Sequence, residues 1–318
     1  MRFRFASRLL SQVWAGAVIS GALLILAGVA ACGVGSSRKR PAGIAENDSC
    51  RPSSADPATQ VTDSYDRQVL SLGPVLYLTL GHPSSPTEPD LSGNGHTATY
   101  LPAHDPPAQT TLPNGDPVAK FNGLGQYAQV ASASTLSVPS TGCLTVEAWV
   151  QPATLQFPRE EGTGYVYILG KGTTDKQEYV LRIYSAKNSE SPERPNRISA
   201  YAFNLTGGLG SGSYFQDKVT VGEWIMVTFV IDAKKSSTWP DGYVAIYKNG
   251  DLRGRVSLGQ YDVVPKASTA PFCIATRNFD SYFEGAIGKV AVYDYVLSNA
   301  DITATYNAMF SSGTRGSV

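Results

Sequence analysis

The side chains that could carry acid–base, nucleophilic or metal chemistry are few, and their spacing does not assemble a reaction centre. Three histidines occur in 318 residues, His82, His96 and His104, all in turn-rich sequence. They do not readily supply a histidine metal set or a histidine-driven triad. Cleaving a glycosidic bond with retention needs two carboxyls about 5–5.5 Å apart. A strand supplies these by placing acids at alternate residues on one face. Glu147 has Thr145 and Trp149 at that spacing, Glu160 and Glu161 are adjacent and so face opposite ways, and Glu178 is isolated. The sequence has no Gly-x-Ser-x-Gly elbow, His-Glu-x-x-His zinc motif or P-loop. Four cysteines, Cys32, Cys50, Cys143 and Cys273, include no Cys-x-x-Cys pair, which removes a zinc ribbon or thioredoxin-type dithiol. The balance points to a protein that binds and does not catalyse.

Binding chemistry is better represented. Trp149, Arg182, Tyr184, Tyr201, Phe203 and Tyr247 lie on the less aliphatic faces of candidate strands. On one sheet they would form an aromatic surface with an arginine, suited to stacking sugar rings and bonding their hydroxyls. The plainer alternative is that tyrosines merely cover a sheet face and Trp149 packs beneath a loop. A second group lies in loops: Trp239-Pro240, and Arg277-Asn278-Phe279-Asp280 with Tyr282. Such polar-aromatic loops make contacts from a rigid scaffold. Asp90 and Asn94, with Ser92 between them in a glycine-containing turn, could offer oxygens to calcium. The same side chains would equally stabilise an Asx-type turn. Formal net charge is zero, so nucleic acid and an anionic membrane surface, which need a basic patch, are not implied as partners.

The elements that must position these groups read as strands. From about residue 75 the pattern has period two with turn signals between segments. In 144–150, Leu144, Val146, Ala148 and Val150 share one face, and Thr145, Glu147 and Trp149 the other. In 197–203, Ile198, Ala200 and Ala202 oppose Tyr201 and Phe203. In 224–231, Ile225, Val227, Phe229 and Ile231 share a face. Asn249-Gly250 between two such runs predicts a hairpin with a type I′ turn, whose two central residues need positive φ. One helix is expected at the end, where Ser298 and Asp301 resemble a capping box and Ile302, Tyr306 and Met309 recur at helical spacing. Many strands without intervening helices predict an all-β, two-sheet antiparallel sandwich or jelly roll with a short C-terminal helix.

The N-terminus has the layout of a secretory signal. Arg2, Arg4 and Arg8 precede an apolar run from Val13 to Val34 that closes on small residues. Val29-Ala30-Ala31-Cys32 resembles a bacterial lipobox, which makes Cys32 a lipidated first residue after a signal peptide of 1–31. The run is also long enough for an uncleaved transmembrane helix. Either alternative places the chain at the cell membrane, facing outside the cytoplasm. Residues 32–68 read as a flexible linker, 69–311 as the sandwich and 312–318 as a disordered tail. Outside the cytoplasm disulfides are allowed. With Cys32 acylated, one pair and one odd thiol is the simplest count. Cys143–Cys273 is the expected pair, both lying in or beside predicted strands.

Several segments in order strengthen the assignment of fold. They are Asp90-Leu91-Ser92-Gly93-Asn94-Gly95-His96; Ala119-Lys120-Phe121-Asn122-Gly123 leading to Gln126-Tyr127-Ala128-Gln129-Val130; and Leu144-Thr145-Val146-Glu147-Ala148-Trp149-Val150. Gly222-Glu223-Trp224, Ile246-Tyr247-Lys248-Asn249-Gly250 and Phe283-Glu284-Gly285-Ala286-Ile287-Gly288-Lys289-Val290 follow. Over roughly 70–310 this order resembles the laminin-G-like domains of the concanavalin-A-like lectin/glucanase superfamily. The resemblance implies a curved two-sheet jelly roll that binds glycans or proteins, often beside calcium. One departure bears on the metal. The family's last strand usually carries Ile-Asp-Glu-Val, where this chain has Ile287-Gly288-Lys289-Val290. The expectation is a membrane-tethered, non-catalytic recognition module for carbohydrate or a surface glycoprotein. The alternatives are a structural envelope protein making protein–protein contacts, or a glycoside hydrolase.

Overall fold

A computed structural model describes residues 63–311. The expected signal peptide or anchor, Cys32, Cys50, most of the expected linker and the tail lie outside the described residues. In chain order the elements are α1 (Ser64–Ser71), β1 (Leu76–Leu78), β2 (Thr87–Glu88), β3 (Ala98–Leu101), β4 (Ala108–Thr111), β5 (Pro117–Asn122), β6 (Tyr127–Val130), β7 (Cys143–Pro152), β8 (Tyr165–Lys171), β9 (Tyr179–Tyr184), β10 (Ile198–Ala202), β11 (Ser211–Tyr214), β12 (Ile225–Asp232), β13 (Tyr243–Lys248), β14 (Asp251–Ser257), β15 (Phe272–Ile274), β16 (Glu284–Tyr293) and α2 (Asn299–Ala308).

They form two antiparallel sheets. The first runs β14-β13-β12-β7-β16-β5-β4, with β1 also paired to β16. The second runs β11-β10-β9-β8-β15-β6-β3-β2. The aliphatic faces read from the sequence meet between them. Leu144, Val146, Ala148 and Val150 of β7 and Ile225, Val227, Phe229 and Ile231 of β12 pack against Leu181 and Ile183 of β9 and Ile198, Ala200 and Ala202 of β10. The β13–β14 hairpin turns on Asn249 and Gly250, both at positive φ, and Ser298 and Asp301 cap α2 reciprocally.

The outer face of the first sheet is also apolar and needs a second cover. Tyr77, Val118, Trp149, Met226, Val230, Ala245, Ala291 and Tyr293 project from it into a cluster closed by Tyr65 and Val69 of α1 and Ile302 of α2. α1 begins inside the stretch expected as linker and crosses its expected end at residue 68. Its eight residues have no aliphatic repeat, and its position comes from tertiary contacts. Asp63 caps it through the Asp66 amide, and Ser64 donates to the Ala308 carbonyl at 2.9 Å. Among the described residues no helix is long and apolar enough to cross a membrane.

The expected Cys143–Cys273 disulfide is corrected: both thiols are free and buried. Cys143 neighbours core-facing Leu144 on the first sheet, and Cys273 lies between core-facing Phe272 and Ile274 on the second. Alternation therefore aims the two sulfurs away from each other, out of opposite sheets. Cys143 instead lies 3.3 Å from Asp232 Oδ1, and burial pushes the Cys273 thiol up to about 12.

Glu147 stands within the helix-covered layer, fully buried. One oxygen accepts from Tyr293 Oη at 3.1 Å, and the other has no partner. Burial pushes its carboxyl from the ordinary 4.5 to about 8. Between those values the folded state holds a proton that the unfolded chain releases, so stability is highest at the acid end and falls as pH rises through the window. Denaturant midpoints measured at about pH 5 and about pH 8 will show this decline, on the order of several kcal/mol. Glu147→Gln will flatten it.

Candidate functional site

Among the described residues no α-helix covers the outer face of β8–β11. Alternation brings Tyr165 and Tyr167 of β8, Val180, Arg182 and Tyr184 of β9, and Tyr201 of β10, with Phe203 just beyond it, to this face. Their neighbours Val166, Leu181, Ile183, Ala200 and Ala202 fill the core. The ladders place Tyr167 opposite Arg182 and Tyr165 opposite Tyr184, with Arg182 opposite Ser199. On the edge strand, Gly212 pairs with Tyr201. A Cβ at Gly212 would come within 2.2 Å of the Tyr201 ring, and one at Gly210 within 2.6 Å of Phe203. Glycine is therefore required for the two rings to lie flat across the edge, where they stack with centroids 6.0 Å apart.

Three arginines overlie these rings. The Arg182 guanidinium is 4.2 Å from the Tyr201 centroid and 4.3 Å from that of Tyr165, and donates to Tyr184 Oη at 2.8 Å. Arg194 donates to Tyr201 Oη at 2.9 Å and lies over Tyr214. Glu190 is 3.7 Å from Arg182 and 3.8 Å from Arg194. Burial works against the Arg182 charge, but Tyr184, Tyr201 and Glu190 outweigh it and hold its pKa above the ordinary value. Burial likewise pushes the hydroxyls of Tyr184 and Tyr167 up. At the other end, Arg277 lies 4.4 Å from the Tyr167 centroid and 5.4 Å from that of Phe203. It donates to Tyr167 Oη at 3.0 Å and Gln177 Oε1 at 3.1 Å. The result is a cleft of about 690 Å³, rimmed by Leu209 and Tyr261.

Of the six expected ligand-binding residues, Arg182, Tyr184, Tyr201 and Phe203 share this surface. Tyr184 is fully buried, while Tyr201 and Phe203 retain 7% and 8% exposure. The rings are thus roofed by guanidinium groups and do not form a bare platform. Trp149 and Tyr247 require correction. Both project from the first sheet into the helix-covered layer. Trp149 stacks on Tyr306 at 5.8 Å, and Tyr247 donates to Asn299 at the start of α2. The less aliphatic face of those strands is less aliphatic because it meets helices, a fact that alternation within one strand does not carry. The Arg277 loop, read as a separate candidate, forms one wall of the same cleft, whereas Trp239 packs with Tyr243 and Arg255 elsewhere. Sequence reasoning missed Tyr165, Tyr167, Gln177 and Arg194. The Tyr165-Val166-Tyr167 alternation could have revealed the first two; Arg194, in an aperiodic Ser/Pro-rich loop, gave no signal.

Among the described residues, neither the expected Asp90–Asn94 turn nor the one convergent acidic group offers calcium a free set of ligands. Asp90 Oδ1 accepts the Tyr77 and Ser92 amides, and Oδ2 accepts the His96 amide. Asn94 turns its amide nitrogen to the Val75 carbonyl. This is the Asx-type arrangement, with both Asp90 carboxylate oxygens accepting from backbone amides. Asp63, Asp66 and Asp116 converge elsewhere, with ligand atoms within 4.8 Å of one another. Lys289 Nζ stands among them, 2.6 Å from Asp66, 2.6 Å from Asp116 and 3.5 Å from Asp63. The ammonium occupies the place a cation would take. A bulge in β16 between Gly288 and Ala291 and positive φ at Lys289 aim the side chain there. Gly288 is required because a Cβ would fall 2.1 Å from Val118.

Two antiparallel sheets, a closed core and a polar-aromatic cleft on one outer face define a lectin-like jelly roll. The laminin G 3 family model, of the concanavalin A-like lectin/glucanases superfamily, matches residues 122–303, and the chain belongs to this family. No curated protein matches it. Among solved structures it is similar to the receptor-binding domain of botulinum neurotoxin mosaic serotype C/D. That match has 13% identity and a TM-score of 0.52, covering 75% of this chain and 51% of that one. It is also similar to the botulinum neurotoxin serotype D ligand-binding domain in complex with N-acetylneuraminic acid, with 13% identity, a TM-score of 0.52, and 77% and 52% covered. A third is domain 4 of AbnA, an extracellular arabinanase from Geobacillus stearothermophilus, in complex with arabinotriose, with 16% identity, a TM-score of 0.50, and 73% and 98% covered. The chain spans about half the length of the neurotoxin domains. At these identities the likeness is one of fold.

Removing the buried ammonium leaves three acids uncompensated. Lys289→Met is expected to cost about 3–5 kcal/mol in equilibrium unfolding, and millimolar calcium is expected to leave the thermal midpoint of the unaltered protein unchanged.

Proposed function

We propose that the protein is a non-catalytic recognition module that binds glycan in the Arg182–Tyr201–Arg277 cleft and is held at the outer face of the cell membrane through lipidated Cys32. The observation that carries the binding reading is the cleft itself. Guanidinium and amide donors converge there over tyrosine rings on a rigid sheet whose outer surface no α-helix of the described residues covers. Sugars offer hydroxyl acceptors and apolar ring faces, and this combination of donors and ring edges meets both. The fold neighbours add support, since the arabinanase domain holds arabinotriose and a neurotoxin domain holds N-acetylneuraminic acid.

The acids of the cleft are tied to neighbouring side chains. Glu190 lies at ion-pair distance from two arginines, Glu161 accepts from Asn278 and Ser281, and Asp280 accepts from Asn278. Tethering rests on the basic and apolar N-terminus and the lipobox-like Val29-Ala30-Ala31-Cys32.

The full chain in detergent is expected to bind oligosaccharides saturably on a glycan array. Tyr201→Ala, or Gly212→Val, which displaces the Tyr201 ring, should weaken that binding about tenfold or more, equivalent to about 1.4 kcal/mol. An array with no saturable signal removes the glycan reading in favour of protein–protein contact. Palmitate labelling in cells should disappear in Cys32→Ser and persist in Cys50→Ser; label retained by Cys32→Ser would remove the lipid anchor.

A further inference from the structure

We propose that the cleft selects sugars bearing a carboxylate, and that Arg277 is the residue that receives it; this rests on the glycan reading above. Arg277 is 3% exposed, lines the cleft, and belongs to none of the ion pairs within 4.0 Å among the described residues. Its two hydrogen-bond partners, Tyr167 Oη and Gln177 Oε1, are neutral, and its Nε has no acceptor. A guanidinium carries five N–H donors, so most of this one's capacity is unused.

The other buried cations among the described residues are treated differently. Lys171 meets Glu178, Lys248 meets Asp217 and Glu223, Lys289 meets three aspartates, and Arg182 shares Glu190 with the half-buried Arg194. A charge withdrawn from water is costly unless paired, and the tyrosine and phenylalanine rings around Arg277 compensate it only in part. Nearby acids do not approach. Glu161 is held by Asn278 and Ser281, and Asp280 by Asn278. The missing partner is an anion brought by the ligand. A planar carboxylate on a sugar ring matches the guanidinium fork with two parallel hydrogen bonds, while the Phe203 edge beside it suits the apolar face of the same ring. Two kinds of sugar carry this chemistry, the hexuronic acids and the sialic acids.

The test compares ligands that differ only in the carboxyl group. Trigalacturonate and sialyllactose are each titrated beside their carboxyl-reduced forms against the full chain in detergent, by calorimetry. At least one acidic sugar is expected to bind about tenfold or more tighter than its reduced form, and which of the two does so identifies the source. In Arg277→Gln that ratio should fall toward one. Equal binding of acidic and reduced forms overturns the carboxylate inference and leaves the glycan reading standing. Binding of neither form overturns the inference, and the array decides separately whether glycan binding survives. A ratio that persists in folded Arg277→Gln overturns the assignment to Arg277. The comparison on the unaltered chain changes the ligand alone, so it holds even if the variant fails to fold.

Discussion

A strand shows its side chains alternately to two faces, and stacking two sheets satisfies only one face of each. The inner faces here close a core of aliphatic residues from both layers. The outer faces must be satisfied in some other way, and the two sheets do so differently. The first projects Trp149, Met226 and Tyr293 outward and needs α1 and α2 as a second apolar cover. The second projects arginines and tyrosines, which satisfy one another by cation–π contacts and hydroxyl hydrogen bonds. Its outer face can therefore remain in contact with solvent. The location of the cleft follows from that division.

Charge inside the protein obeys a related economy. Lys289 is matched by three carboxylates, so the helix that carries Asp63 and Asp66 is pinned to the last strand by an ammonium and not by a metal ion. Glu147 has no cation and resolves its burial by keeping its proton. Arg277 can do neither, since a guanidinium does not release its proton in proteins, and no carboxylate of the described residues reaches it. The same physics that makes Lys289 and Glu147 structural leaves Arg277 as the group that a ligand would complete. Glycines at 210 and 212 serve the cleft in a different way, by making room for the Phe203 and Tyr201 rings on the edge strand.

Much of the sandwich was legible because its signals are local. The faces of residues 144–150, 197–203 and 224–231, the Asn249-Gly250 turn and the Ser298 cap each depend on a few adjacent residues, and each is found as expected. Strand β11 gave no signal, because Ser211-Gly212-Ser213-Tyr214 reads as loop until Tyr201 is seen lying on Gly212. Helix α1 gave none either, since its eight residues are placed by Lys289, more than two hundred residues away in sequence. For the site, alternation explains why Arg182, Tyr184, Tyr201 and Phe203 share one face of the second sheet. Trp149 and Tyr247 were grouped with them only because they share a pattern.

The sequence by itself determined which residues lie back to back on each strand, because a period of two is a property of the backbone. It also determined the turn and cap chemistry, and thereby an all-β sandwich with one terminal helix. Only the tertiary structure decided which outer face is covered, which cysteines point apart and which arginine lacks a counter-charge. Those are relations between segments far apart in the chain. Alternation says that two side chains face the same way along a strand, but not what the next layer brings against them.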